Sequence, residues 1–336
     1  MLKIRDIDTT VLMKRAKGVL DEKWLGEYTS PSTKLYPHQW SWDSGFISIG
    51  YSYFNEERAR KEMTSLLKGQ WADGMIPHIR YNPLFENYFP DAGFWNISRS
   101  KYAPSNIITS GIIQPPVITI AAYYYYRNAR NKDEAKEFLK QLYPNLLGFH
   151  RFLHEERCPH NDGLVAIVHP WESGVDNSPS WEDSLNRIDV SRSELIPYKR
   201  KDTEAVPVEE RPENKDYDRY IYLIEIFKKV DYEQHAVIEE SPFLVYDILF
   251  NTILCRANEC LIELGKLLNE DTGDLVERHE STRKSIQECL WDKESGLYLS
   301  YDLRANSIIK NHTASSFCPL FAGIPDHSTL PQPSLT

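Results

Sequence analysis

The chain has 336 residues and a mass of 39.2 kDa, with 49 Asp and Glu against 39 Lys and Arg, a formal balance of −10. That sign opposes the counterion release that holds proteins to nucleic acid or anionic membrane. Ordinary globular usage, 41% hydrophobic and 26% charged, excludes disordered and fibrous classes. No window approaches the roughly 18 apolar residues of a membrane span.

The first residues, Met1 to Asp8, are charged and alternating and lack an apolar core followed by small residues, so a cytoplasmic location is expected. The five cysteines (Cys158, Cys255, Cys260, Cys289, Cys318) are odd in number, scattered and without a Cys-x-x-Cys pair. Reduced thiols are therefore expected, with no disulfide framework, no metal and no cofactor. Aromatic residues make up 12%, many of them beside Pro, Gly, Asn and Asp in polar stretches. Loop-borne Trp and Tyr near carboxylates suit a wet pocket that stacks sugars or other flat polar ligands.

Helical patterning dominates. Phe46, Ile49, Gly50, Tyr53 and Phe54 form one apolar face, and after the Asn55-Glu-Glu start signal Ala59, Met63, Leu66 and Leu67 form another, giving a helical hairpin. Residues 111–130 open with a Pro pair suited to a helix start and are apolar almost all round, whereas 132–156 are strongly amphipathic. The alternation returns with an apolar stretch over 242–268 and a polar helix over 274–290. A buried helix followed by an amphipathic one is what an inner and an outer layer need. Long polar, aromatic loops at 24–43, 70–110 and 157–181 separate the helices, and loops of that length in a compact domain usually carry function. The stretch 189–216 is rich in Arg, Lys, Glu and Pro and reads as a mobile flap, and 326–336 reads as an irregular tail.

Several constellations carry chemistry. Pro37-His-Gln-Trp-Ser-Trp-Asp-Ser-Gly-Phe46 packs two Trp, a His and an Asp just before a helix; a cap at Asp43 or Ser44 explains part of it but not Trp40 and Trp42. Gln70-Trp-Ala-Asp-Gly-Met-Ile-Pro-His78 has the same make-up, and is either a second pocket segment or a plain turn. His169-Pro-Trp-Glu-Ser-Gly-Val-Asp-Asn-Ser-Pro179 puts two carboxylates among tryptophans, and apolar walls raise a carboxyl pKa into the range of a proton donor. Either Glu172 or Asp176 suits that role, or the loop merely closes a turn. His150 and His154, spaced i, i+4, lack the Glu of a zinc protease motif and are expected to be surface histidines. Asp247 and Asn251 interrupt an apolar stretch and either brace a loop or line the pocket.

Taken in order, Tyr36-Pro-His-Gln-Trp-Ser-Trp-Asp-Ser-Gly-Phe, Gln70-Trp-Ala-Asp-Gly-Met-Ile-Pro-His, Ser110-Gly-Ile-Ile-Gln-Pro-Pro and the 169–179 segment resemble glycoside hydrolase family 63, in the group typified by mannosylglycerate hydrolase and akin to trehalases. The resemblance runs from about residue 20 to about residue 325. It implies an all-α (α/α)6 toroid in one domain over 1–325, and an inverting hydrolysis of small α-mannosyl or α-glucosyl compounds such as mannosylglycerate or glucosylglycerate. On the matching motifs it implies Asp176 as general acid, with Tyr36, Trp40, Trp42, Asp43, Gln114, Trp171 and Glu172 in the sugar pocket. The family's general base is a Glu from the last third of the toroid, and the helix count here falls short of six hairpins, so an incomplete toroid with little turnover is expected. A non-catalytic carbohydrate-binding remnant and a helical-repeat scaffold are the alternatives, the latter disfavoured by the Trp-rich loops. The partner expected is a small glycoside; oligomeric state is left open.

Overall fold

The computed structural model describes residues 8–175, 177–191 and 195–325; Asp176, part of the expected flap and the expected tail lie outside the described residues. Helix α1 (Thr9–Glu22) is capped by the Asp8 carboxylate, which accepts from Thr10 N and Val11 N. Strand β1 (Gln39–Trp40) leads into α2 (Ser41–Ser52) and α3 (Glu56–Leu67), with Asn55 capping the second helix as its sequence signal predicts. After β2 (Ile79–Arg80) and the single turn α4 (Ala92–Trp95) come α5 (Val117–Asn128) and α6 (Lys132–Glu156). The short helices α7 (Pro179–Asn186) and α8 (Asp202–Ala205) precede α9 (Asn214–Lys229) and α10 (Gln234–Glu240). Strand β3 (Val245–Tyr246) then leads into α11 (Ile248–Leu268) and α12 (Gly273–Cys289), followed by the two-residue strands β4 to β7 within 291–308.

Three hairpins set the frame. Helices α2, α5 and α11 lie side by side in that order, and α3, α6 and α12 cover them from outside. The layering follows from residue patterning. Val117 through Tyr123 of α5 are all buried and α11 is buried along most of its length, whereas α12 buries only Leu275, Thr282, Ser285 and Ile286. The architecture is of the (α/α)6-toroid type, with three inner and outer helix pairs among the described residues and residues 157–247 as an excursion between the second and third of them. Among the described residues no helix is long and apolar enough to cross a membrane.

The face that α2 buries differs from the one its apolar residues predict. Phe46 and Tyr53 are 53% and 62% exposed, while Ser41, Ser44, Gly45, Ser48, Tyr51 and Ser52 are buried. The reason is close approach: a Cβ on Gly45 would fall 2.7 Å from Val117 Cγ1, so α2 meets α5 through small side chains only. Two serines on that face are tied down locally: the Ser44 hydroxyl donates to Glu62 at 2.7 Å and the Ser52 hydroxyl to Ile49 O at 2.6 Å.

Two further expectations resolve here. His150 and His154 are not on the surface: both are buried, and they join α6 to its neighbours through Asn258 on α11. His150 Nδ1 lies 2.7 Å from Asn258 Oδ1 and its Nε2 lies 2.9 Å from Thr119 Oγ1 on α5. Burial lowers the pKa of His150 to about 3 and of His154 to about 4, so both are neutral bridges. Asp247 and Asn251 brace loops. Asp247 caps α11 by accepting from Phe250 N at 2.9 Å, and Asn251 both accepts from Val165 N and donates to Val165 O.

Candidate active site

The sequence motifs meet at the N-terminal ends of α2 and α5. Pairing of β1 with β2 sets Gln39 opposite Arg80 and Trp40 opposite Ile79. Backbone hydrogen bonds then lace the segments in a row: Ser41 N donates to His78 O at 2.9 Å, and His78 N donates to Ile112 O at 2.7 Å. A side chain adds the last tie, since Gln114 Oε1 accepts from Trp42 N at 3.2 Å. Three motifs far apart in sequence thus form one rigid floor.

The fourth motif joins it as a short 3-10 turn, Pro170–Ser173, with the His169 side chain accepting from Trp171 N at 3.1 Å. Gly174, at φ +79°, ends the turn where a Cβ would lie 2.8 Å from the Trp42 ring, so only glycine lets the two segments touch. Ser173 Oγ accepts from Trp181 Nε1 at 3.1 Å and anchors α7 behind the turn. Val175 leads on to Asp176, the expected acid, which lies outside the described residues.

Between these segments is a cavity open to solvent. Tyr36, Trp40, Tyr88, Phe89, Trp171 and Tyr217 form its aromatic walls, and His78, Asn87 and Gln114 supply neutral polar groups. Tyr36 stands edge-on to Trp40 at 5.0 Å between ring centres, and His78 stacks on Trp171 at 6.3 Å. His78 Nδ1 is held 2.6 Å from Ser110 Oγ, and burial keeps the imidazole well below its usual pKa and therefore neutral. Lys34, Lys201 and Arg211 bring three cations to the same cavity. Among the described residues lining it, the one carboxylate is Asp202, which accepts from Arg200 at 2.6 Å and from Arg211 at 2.9 Å. Arg211 also donates to the Tyr36 hydroxyl at 3.0 Å, tying the 189–216 stretch to the rim. Aromatic faces beside neutral hydrogen-bonding groups suit a sugar ring, and a cationic mouth suits an anionic substituent on it.

Of the residues expected in the pocket, Tyr36, Trp40, Gln114 and Trp171 line the cavity. Trp42 packs against Gly174, and Asp43 sits half-buried in the first turn of α2. Glu172 departs from the expectation. It is fully buried, paired with Arg157 and bonded to two backbone amides, so its carboxylate faces the protein interior. His78 ends the segment read as either a second pocket segment or a plain turn, whereas Asn87, Tyr88 and Phe89 belong to a stretch read only as an aromatic loop. Tyr217 and Arg211 carry no sequence signal: Tyr217 lies on α9, a helix the patterning does not single out, and Arg211 is one charge among many.

The family model of the mannosylglycerate hydrolase MGH1-like glycoside hydrolase domain matches residues 36–332. The chain belongs to this glycoside hydrolase family. It is 43% identical to the mannosylglycerate hydrolase of Rubrobacter radiotolerans over 315 residues, 94% of this chain and 71% of that protein. The glucosylglycerate hydrolase of Mycolicibacterium hassiacum is 35% identical, over 94% of this chain and 72% of that protein. The crystal structure of the GH63 mannosylglycerate hydrolase from Thermus thermophilus in complex with Tris and D-glycerate superimposes with a TM-score of 0.88 at 42% identity, covering 95% of this chain and 74% of that one.

Proposed function

We propose that the cavity binds a small α-mannosyl or α-glucosyl glycoside whose other half is glyceric acid. The observation that carries this reading is the meeting, in one cavity, of aromatic walls and neutral polar groups with the cations Lys34, Lys201 and Arg211. The sugar stacks on the walls near Trp40 and Trp171, and the carboxylate of the glyceryl group meets the cations. Relatives named mannosylglycerate hydrolase and glucosylglycerate hydrolase support the same substrate class. Asp176 is the proposed general acid of an inverting hydrolysis, with Trp42 and Asp43 serving the sugar ring. Residues 189–216 are the proposed lid, and the five free cysteines fit a reducing cytoplasm.

Calorimetry tests the reading directly. Mannosylglycerate or glucosylglycerate binds the wild type, and Arg211→Ala weakens that binding roughly tenfold or more, as loss of a charge-assisted hydrogen bond does. Methyl α-mannoside, which has no carboxylate, loses far less, only what release of the Tyr36 hydroxyl costs. Equal loss for both ligands refutes the assignment of the cationic mouth. Asp176→Asn keeps binding but lowers any turnover by roughly 10²–10⁴-fold, the usual weight of general acid catalysis. A binding protein without hydrolysis is the second reading. It is favoured by Asp202 being the one carboxylate among the described lining residues, already held by two arginines; wild-type turnover excludes it.

A further inference from the structure

We propose that Glu172 is a positioning residue, setting Gln114 and Trp171 against each other across the sugar pocket without touching the substrate. The inference rests on the glycoside reading above. The Glu172 carboxylate joins three segments that are distant in sequence. Its Oε1 accepts from Ile113 N at 3.1 Å, and Gln114 is the next residue. Its Oε2 accepts from Val168 N at 2.8 Å, at the start of the segment that carries Trp171, and also takes the Arg157 guanidinium from the end of α6. Both partners of the ion pair are at most 1% exposed. Gln114 in turn accepts from Trp42 N at 3.2 Å, so the tie reaches α2 beside Asp43.

Stability alone is a poor reason for such a group. A buried ion pair is often matched or bettered by apolar residues of the same volume. What apolar residues cannot supply is an ionised acceptor for two backbone amides, which fixes the register of both segments. Glutamine at this position has one oxygen where glutamate has two, and its amide nitrogen must face either the Ile113 amide or the Val168 amide and Arg157, donor against donor. One segment is then released. None of the three cations that line the cavity, Lys34, Lys201 and Arg211, is among the groups that Glu172 holds.

The test separates sugar affinity from glycerate affinity. In Glu172→Gln, affinity for methyl α-mannoside and for mannosylglycerate falls tenfold or more, while affinity for free D-glycerate changes less than twofold. The double variant Arg157→Met/Glu172→Met regains a thermal midpoint near that of wild type yet keeps the weak sugar affinity. Sugar affinity that recovers with stability, or that never falls, overturns the proposal. Amide exchange on the wild type gives a reading that needs neither variant: mannosylglycerate slows exchange at Ile113 and Val168 more than glycerate does, and equal protection by both ligands overturns the proposal. Failure of wild type to bind any of these ligands refutes the glycoside reading instead.

Discussion

Glu62 offers a sharp test of the physics beneath the site. It is 0% exposed and, among the described residues, pairs with no cation; its oxygens accept from Ser44 Oγ at 2.7 Å, Thr29 N at 2.8 Å and Gln39 Nε2 at 3.3 Å. Burial raises its pKa from 4.5 to about 8. The folded state therefore holds this proton where the unfolded state has released it. The stabilisation is fully present below pH 4.5 and is lost as pH rises through about 8. Buried histidines act in the opposite sense. His38, His150, His154 and His169 are held near 3 to 4 and His78 well below 6.5, so stability rises as their unfolded forms lose protons through 6.5. That term is common to wild type and Glu62→Gln, a variant that mimics the protonated form and has no proton to lose. The difference in stability between the two proteins therefore isolates Glu62, and from pH 6.5 to 8 it shifts against wild type by roughly 1.5–2 kcal/mol. Urea unfolding of both proteins at half-unit steps across that window, at constant ionic strength, measures the shift. A difference that stays constant with pH refutes the reasoning.

Two substitutions probe the frame. Asn258→Leu leaves two buried imidazole nitrogens without their partner and is expected to cost about 2–4 kcal/mol in chemical denaturation, from one or two unpaired buried groups; a loss below about 1 kcal/mol contradicts the bridge. Gly45→Ala forces a methyl group against Val117 and is expected to lose about 1–3 kcal/mol from overpacking, less the helix-propensity gain of up to about 1 kcal/mol. Adding Val117→Ala removes only the nearest of the three atoms the methyl would meet, since Val117 C and Cβ also lie 2.9 Å away, and should recover only a small part of the loss. A single variant as stable as wild type shows that α2 and α5 can part at no cost.

Much of the frame was legible because hydrophobic periodicity reports burial in helices. The apolar α5 and α11, the amphipathic α6 and the polar α12 fall where their patterns put them. The failure at α2 is instructive, since there the buried face is made of serine and glycine, whose virtue is small volume rather than hydrophobicity, and Phe46 and Tyr53 point outward. The two histidines of α6 misled for a related reason. A polar side chain reads as surface unless its partner is known, and Asn258 lies 108 residues from His150. At the site, tryptophans between Pro and Gly drew attention to the right loops. Sequence could not separate Trp171, which faces the cavity, from Glu172 beside it, which faces Arg157, because neighbours in a 3-10 turn point in different directions.

The cleft is built from two parts that differ in how they are held. The proposed sugar side rests on β1, β2 and the segments at 112–114 and 168–174, tied by backbone hydrogen bonds and by two buried carboxyl side chains, Glu62 and Glu172. Arg80 Nη1 donates to Ser65 Oγ at 2.8 Å, and Ser65 Oγ donates to Gln39 Oε1 at 3.0 Å, so even the back of β1 is fastened. The charged side is different. Two of its three cations, Lys201 and Arg211, come from one charge-rich excursion held within itself by the Arg200–Asp202–Arg211 cluster, while its Tyr198 stacks outward on Phe89 at 5.4 Å. Among the described residues its link to the rigid side runs through the side chains of Tyr36, Phe89 and Tyr217 rather than through shared backbone pairing. Changes in that excursion therefore alter the group attached to the sugar without disturbing the floor that holds the sugar, whereas changes at Glu62 or Glu172 reach the floor itself. On the proposed reading, recognition of the ring and of its anionic partner is separable in this fold, and the separation follows from where the buried carboxyl groups of Glu62 and Glu172 stand.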